Sequence, residues 1–122
     1  SVAPYSPLGG GLLTGKYQSG GTGRLLTDSR YGARYGQAWM YETAEALTRL
    51  ADELGTDPAT LAVAWAAQHP AVTAPIISAR NTAQLEPSLK ARTLRLSQTD
   101  RARIDALSPR PAPATDRLEE AV

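Results

Sequence analysis

The stretch that decides the fold reads YSPLGGGLLTGKY over positions 5–17. A short apolar segment, Val2–Tyr5, leads into it and meets a serine and a proline, which is typical of a strand that ends in a turn. Glycines at positions 9, 10 and 11 allow the backbone N–H groups of the following loop to approach an anion closely. Lys16 adds a positive charge at the end of the same loop. The stretch therefore predicts a strand followed by an anion-binding loop.

The remainder of the chain predicts alternating helices and one further strand. Residues Leu8–Gly36 are rich in glycine, and we interpret them as a long loop, a type that is usually functional or mobile. Apolar spacing and capping residues predict the later elements. The expected helices lie near 38–54, 58–68, 82–91 and 98–107. A second strand is expected at Ala74–Ser78, parallel and adjacent to the first at Val2–Tyr5.

This order of elements indicates an α/β fold with a parallel sheet. Two strands cannot bury such a sheet, and the helix at Ala59–Gln68 is apolar nearly all round, so it requires protein on most of its sides. The chain also begins with Ser1 rather than Met. We therefore expect a slice of a larger domain over residues 1–107. The proline-rich and then charged residues 108–122 are expected to form a disordered tail.

Composition excludes several classes of function. The chain has 122 residues and a formal net charge of +1, which gives no electrostatic case for nucleic acid or an anionic membrane. It has no cysteine and one histidine, His69, so neither a disulfide framework nor a metal site is expected. No apolar run approaches the ~18 residues of a membrane span, and no signal peptide is recognisable. A cytoplasmic location is the resulting expectation.

Two motifs carry a resemblance to a known family. YSPLGGGLLTGKY at positions 5–17 strongly resembles the segment after strand seven of the aldo-keto reductase barrel. PIISARN at positions 75–81, followed by Gln84, resembles strand eight and the start of helix eight, where the family usually has glycine at the position of Ser78. The resemblance covers about Val2 to Leu107. It implies the C-terminal segment of a (β/α)8 TIM barrel, with two parallel strands and flanking helices, whose loops after strands seven and eight often bind phosphate.

The same resemblance implies a binding site for NADP(H). Tyr5 would stack on the nicotinamide, Arg80 would bind the 2′-phosphate, and Gln84 would lie near the adenosine. The residues expected to contact the cofactor are Tyr5, Ser6, Pro7, Leu8, Gly10, Lys16, Ser78, Arg80 and Gln84. NADP(H) is preferred to NAD(H) because two cations and a row of backbone donors suit both a pyrophosphate and a 2′-phosphate.

The sequence departs from the family at two points. Pro87 and Ser88 stand where the family usually has Glu and Asn facing the adenine. The family's catalytic Asp, Tyr, Lys and His lie on earlier strands that this sequence does not contain, so no catalytic residue is assigned. The expected function is the cofactor-binding portion of a reductase that converts small aldehydes or ketones to alcohols. The 122-residue chain alone is expected to be inactive.

Several questions stay open at this point. A non-catalytic nucleotide-binding protein or a truncated remnant is one alternative. A P-loop NTPase is a more remote one, since positions 10–16 fit G-x-x-x-x-G-K but Tyr17 stands where a P-loop requires Ser or Thr. Either Arg24 or Arg30 could clamp the pyrophosphate. The substrate and the oligomeric state are not predicted.

Overall fold

The computed structural model describes residues 1–110 and 112, and the regular elements among them are helical. The four helices predicted from apolar spacing and capping are confirmed to within two residues at either end. In chain order the elements are a 3-10 turn at Leu12–Thr14, α1 at Arg24–Thr27, α2 at Ser29–Tyr35, α3 at Ala38–Glu53, α4 at Pro58–Ala67, α5 at Thr82–Lys90 and α6 at Gln98–Asp105.

Local signals explain where the long helices begin and end. Gly55 follows α3 with φ of 68°, a left-handed conformation that glycine adopts without steric cost. The Asn81 side chain accepts a hydrogen bond from the Gln84 amide at 2.9 Å, which caps α5. Asp57 precedes α4 and Pro58 begins it, a pairing that is typical of a helix start. The Asp57 carboxylate makes no capping hydrogen bond, however. Its Oδ2 lies 3.5 Å from the Lys90 ammonium instead.

The prediction of two regular strands was wrong. The two extended segments do run parallel and adjacent, but they meet only at isolated bridges between Val2 and Val72 and between Tyr5 and Ile76. The offset between paired residues grows by one from the first bridge to the second, so the register slips. Pro4 and Pro75 lie between the bridges, and neither has an amide to donate. A continuous ladder is therefore interrupted within the described residues.

The hydrophobic core lies between α3, α4 and α6. Its buried members are Leu47, Leu50, Ala51, Leu61, Ala62 and Ile104. Leu8 and Leu13 pack against the edge of this core, which anchors the glycine-rich loop to it. The apolar helix α4 is buried from Ala59 to Ala64, as its composition predicted, while Trp65 stays 37% exposed and donates a hydrogen bond to Asp105 at 2.7 Å.

The segment interpreted as one long loop contains two short helices, α1 and α2. Leu25 of α1 is buried with Leu12 and Ala44, and the Asp28 side chain caps α2 through the Arg30 amide at 2.9 Å. The glycines of this segment lower its helix propensity, so the two helices were not predicted from the sequence. Packing of Leu25 stabilises the helices nonetheless. The helices α1 and α2 lie directly against residues 6–11, which we call the glycine turn.

The predicted domain boundary falls at the edge of the described residues. Of the tail expected at 108–122, only residues 108–110 and 112 are described, and the rest lie outside the described residues. Within the described part of the chain, no helix combines the length and the apolar character that a bilayer crossing requires.

Candidate functional site

One cleft of about 650 Å³ collects the residues of interest. It lies between the glycine turn, the end of the second extended segment and the beginnings of α4 and α5. Every residue predicted to contact a cofactor lines it: Tyr5, Ser6, Pro7, Leu8, Gly10, Lys16, Ser78, Arg80 and Gln84. The remaining lining residues are Gly11, Thr14, Thr22, Arg24, Asp57, Pro58, Ala59, Ile76, Ile77, Ala79 and Pro87. The structure therefore brings together residues that lie far apart in the sequence.

The glycine turn exposes its backbone to this cleft. Gly10 has φ of 65°, and a Cβ built on it would lie 2.7 Å from the Tyr31 ring and 3.2 Å from Leu25. Both its conformation and its surroundings therefore require glycine. The amides of Gly9 and Gly11 donate to the carbonyls of Ser6 and Leu8 at 3.0 and 3.1 Å, whereas the Gly10 amide makes no such bond within the turn. The Gly10 N–H is accordingly available to an anion.

Ser6 begins this turn in a strained conformation. Its φ of 54° is the one positive value among the described non-glycine residues. A side chain in this region costs about 1 kcal/mol, and such strain clusters at ligand sites. The Ser6 carbonyl accepts the hydrogen bond from Gly9 that closes the turn. The strained residue thus sets the direction in which the chain leaves Tyr5, which is 70% exposed at the cleft.

Lys16 is held in a slot between two glycines. Its Nζ lies 3.1 Å from the position of a Cβ built on Gly11 and 2.6 Å from that on Gly23. The ammonium also lies 5.2 Å from the centroid of the Tyr17 ring, a cation–π distance. The Tyr17 hydroxyl accepts a hydrogen bond from the Leu25 amide at 3.2 Å, which fixes the ring. Turns follow Lys16, so the P-loop alternative lacks the helix that it requires.

Arg80 and Gln84 are joined at the beginning of α5. The Gln84 side-chain carbonyl accepts a hydrogen bond from the Arg80 amide at 3.1 Å. In a capping box the side chain of Gln84 would accept from the amide of the cap residue, Asn81. Here it accepts instead from the amide of Arg80, one residue before the cap. The bond holds the backbone of Arg80 against α5, with both side chains lining the cleft.

The structure distinguishes Arg24 from Arg30. Arg24 lines the cleft, and its Nη1 donates to the Tyr31 hydroxyl at 3.2 Å. Its guanidinium also lies 5.4 Å from the centroid of the Tyr31 ring. The Arg30 side chain is 89% exposed, lies 3.6 Å from Asp28 and does not line the cleft. Of the two arginines, only Arg24 is placed to reach a ligand there.

The charges at the cleft favour an anion. Lys16, Arg24 and Arg80 line it, and none of them has a carboxylate within ion-pair distance among residues 1–110 and 112. The one lining carboxylate, Asp57, is paired with Lys90. Three cations that have no carboxylate partner among the described residues, together with the Gly10 amide, form an anion-binding surface at one cleft.

The cleft also contains residues that the sequence did not suggest as part of a site. Pro58 and Ala59 of α4 line it beside Pro87. Ser88 is 3% exposed and does not line the cleft. No local pattern marks Pro58 or Ala59, because only the packing of α4 against α5 places them there. Arg24 and Thr22 follow the glycines closely in sequence, and that proximity is the signal by which they could have been found.

No metal site is apparent in the part of the chain that the structure describes. No group of three or more His, Cys, Asp or Glu residues there is arranged to hold an ion. His69 accepts a hydrogen bond at Nδ1 from the Ala71 amide at 3.1 Å.

A family model and several curated proteins match this chain. The model of the aldo/keto reductase family matches residues 1–109. A protein of Arabidopsis thaliana named as a probable voltage-gated potassium channel subunit beta is 34% identical over 98 residues, which cover 74% of this chain and 29% of that protein. The uncharacterized oxidoreductase YrpG of Bacillus subtilis is 32% identical over 115 residues, or 93% of this chain and 34% of the relative. Protein tas of Escherichia coli is 33% identical over 106 residues, or 84% and 30% respectively.

The chain thus spans about a third of the length of the curated relatives that it matches. The family match, in contrast, extends over nearly all of the described residues. By this match the chain belongs to the aldo/keto reductase family.

Proposed function

We propose that the cleft binds NADP(H) and that the chain is the C-terminal, cofactor-binding part of an oxidoreductase. The enzyme would reduce aldehydes or ketones to alcohols. The observation that carries the proposal is the convergence of Lys16, Arg24 and Arg80, all without carboxylate partners among the described residues, on the open glycine turn. Family membership supports it, since aldo/keto reductases generally use NAD(P)H.

The residues present fit a dinucleotide. The cleft, at about 650 Å³, lies within the roughly 300–1,000 Å³ range of small-molecule sites. Lys16 and the Gly10 amide would hold the pyrophosphate, and Arg80 would hold the 2′-phosphate. The exposed Tyr5 ring offers a flat surface on which the nicotinamide would stack. When bound, the cofactor supplies a hydride, and the protein's contribution here is to position it.

The proton donor for carbonyl reduction would come from outside these residues. Such a donor must lie about 3 Å from the carbonyl oxygen, and the resemblance assigns that role to a segment absent from positions 1–122. Tyr5 and Lys16 are therefore given no catalytic role. A small carbonyl compound is the proposed substrate class.

A direct test compares the full-length protein with the 122-residue chain alone. Binding of NADPH and NADH is measured by quenching of tryptophan fluorescence, and turnover is followed by NADPH absorbance with a reactive aldehyde. We expect the full-length protein to bind NADPH more tightly than NADH and to reduce the aldehyde. We expect no turnover by the isolated chain. Turnover by the isolated chain at a comparable rate would show that the catalytic residues have been misplaced, and failure of the full-length protein to bind either dinucleotide would refute the proposal.

A second candidate is a nucleotide-binding subunit without turnover. It is favoured by the likeness to the Arabidopsis protein named as a probable channel subunit. The two candidates differ in one measurement: this one requires that the full-length protein bind NADPH and leave a panel of aldehydes and ketones unreduced.

A further inference from the structure

Tyr31 of α2 joins the glycine turn to Arg24. Its Cδ1 lies 2.7 Å from the position of a Cβ built on Gly10, so the ring packs directly on the backbone of that glycine. The Tyr31 hydroxyl accepts a hydrogen bond from Arg24 Nη1 at 3.2 Å, and the guanidinium lies 5.4 Å from the ring centroid. Tyr31 itself does not line the cleft, whereas Gly10 and Arg24 both do. One side chain outside the cleft therefore contacts two groups that line it.

The hydrogen bond orients Arg24 without neutralising its charge. A guanidinium carries five N–H donors, and the bond to the neutral Tyr31 hydroxyl is the one hydrogen bond that the Arg24 side chain makes among residues 1–110 and 112. Asp28, the carboxylate nearest to Arg24 in sequence, lies 3.6 Å from the Arg30 side chain instead. The full positive charge of Arg24 and its other donors are therefore available to an anion in the cleft.

Packing fixes the ring that orients Arg24. Tyr31 and Tyr35 lie one helical turn apart on α2, with ring centroids 6.2 Å apart. Tyr35 Cδ1 lies 3.7 Å from a Cβ built on Gly9, so the two rings pack on consecutive glycines of the turn. A flexible side chain loses rotamer freedom when it binds a ligand, and holding it in the bound position beforehand reduces that cost. A fixed tyrosine accordingly preorganises the arginine.

We propose that Tyr31 is a positioning residue for Arg24, and that Arg24 held in this way binds the pyrophosphate of the dinucleotide together with the Gly10 amide. The inference rests on the proposed function, which places a pyrophosphate at the glycine turn. It adds Arg24 to the groups that hold the pyrophosphate. It also gives the hydroxyl of Tyr31, which touches no ligand, an effect on affinity that is exerted through Arg24.

The test is a double-mutant cycle on NADPH affinity in the full-length protein, with dissociation constants measured by fluorescence quenching. Tyr31→Phe keeps the ring on Gly10 and removes the hydroxyl, and it is expected to weaken binding about two- to tenfold through lost preorganisation. Arg24→Ala removes the charge itself and is expected to weaken binding at least about tenfold. In the Arg24→Ala background, Tyr31→Phe is expected to cause no further loss, because the hydroxyl acts through the arginine.

Tyr35→Phe is the matched control. It removes a hydroxyl from the neighbouring turn of α2, to which no arginine donates among residues 1–110 and 112, and it should bind NADPH with wild-type affinity. A second comparison uses NADH, which shares the pyrophosphate with NADPH. Tyr31→Phe and Arg24→Ala should therefore each weaken the binding of both cofactors by the same factor.

The possible failures are distinguishable. Wild-type affinity in Tyr31→Phe or in Arg24→Ala would overturn the inference. An equal loss from Tyr31→Phe with and without Arg24 would also overturn it, because the hydroxyl would then act through the fold. A loss confined to NADPH would place Arg24 at the 2′-phosphate and overturn its assignment to the pyrophosphate. Absence of binding of either dinucleotide by the wild-type protein would instead refute the proposed NADP(H) site, and the inference with it.

Discussion

The ammonium of Lys16 occupies the space that a side chain on Gly23 would need. A Cβ built on Gly23 lies 2.6 Å from Lys16 Nζ and 2.6 Å from the Tyr17 hydroxyl. The backbone of Gly23 is extended, with φ of 172°, a conformation open to any residue. Glycine is therefore required at position 23 by lack of space and not by backbone conformation. This contact joins Gly23, the residue before α1, to the Lys16 side chain that lines the cleft.

Gly23→Ala is expected to weaken NADPH binding about tenfold in the full-length protein, because the added methyl displaces the Lys16 ammonium and charge-assisted contacts are lost. Stability should also fall, by about 1–3 kcal/mol, because the methyl crowds the Tyr17 hydroxyl, which the hydrogen bond from the Leu25 amide holds in place. The dissociation constant and the urea midpoint check the two halves of the prediction.

Gly20→Ala is the matched control for this variant. Gly20 has φ of 80°, and no atom lies within 4 Å of a Cβ built on it. This substitution should lower stability by about 1 kcal/mol through backbone strain and leave NADPH affinity unchanged. If the Gly23→Ala variant bound NADPH with wild-type affinity, Lys16 would not depend on the space beside Gly23 for its role in binding.

Arg80→Ala is expected to weaken NADPH binding between about tenfold and a hundredfold, and NADH binding much less. The reason is that NADPH alone carries the 2′-phosphate that Arg80 is proposed to bind. Titration of both cofactors gives the two ratios. Arg30→Ala serves as the control, since the 89% exposed Arg30 side chain lies outside the cleft. Equal losses for the two cofactors in Arg80→Ala would assign Arg80 another role.

Thr60→Val is expected to destabilise the fold by about 1–3 kcal/mol. Thr60 is 2% exposed, and its hydroxyl donates to the Pro87 carbonyl at 2.7 Å. Valine keeps the shape of the side chain but leaves that carbonyl without its donor. Urea unfolding measures the change, and Thr60→Ser, which keeps the hydroxyl, should lose less. A valine variant as stable as wild type would show that water or a rearranged helix satisfies the carbonyl.

The Asp28 cap predicts a dependence of stability on pH. The hydrogen bond from the Arg30 amide, the largest effect, and the nearby Arg30 charge hold the pKa of Asp28 below its ordinary value of 3.8. Because the folded chain binds this proton less tightly than the unfolded chain, the contribution is present above about pH 4 and is lost as pH falls through the lowered pKa.

Asp28→Asn removes this titration and keeps an oxygen that is able to cap α2. Relative to this variant, wild type should lose stability as pH falls from about 4 through the lowered pKa of Asp28. Urea unfolding of both proteins across that range checks the sign. If the stabilities of the two proteins changed with pH in the same way, the charge of Asp28 would contribute nothing to stability.

The sequence by itself determined the elements whose signals are local. Gly55 follows α3, Asn81 caps α5, and Ser97 caps α6 by accepting a hydrogen bond from the Asp100 amide. These boundaries are local because caps act within a few residues of the backbone groups that they satisfy. The composition of α4 predicted its burial because a helix that is apolar nearly all round must be covered by protein. The glycine turn was also predicted, as were nine residues that line the cleft, because the motifs at positions 5–17 and 75–84 carry the family resemblance on their own.

Tertiary structure decided the features that depend on contacts across the chain. The register slip between the segments at Tyr5 and Ile76 follows from how two distant segments meet. The selection of Arg24 over Arg30 follows from the packing of α1 and α2 on the glycine turn, and helix propensity gave no sign of these two helices. Pro58 and Pro87 line one cleft because α4 packs against α5. Packing of this kind brings together residues far apart in sequence, whose juxtaposition no local pattern records.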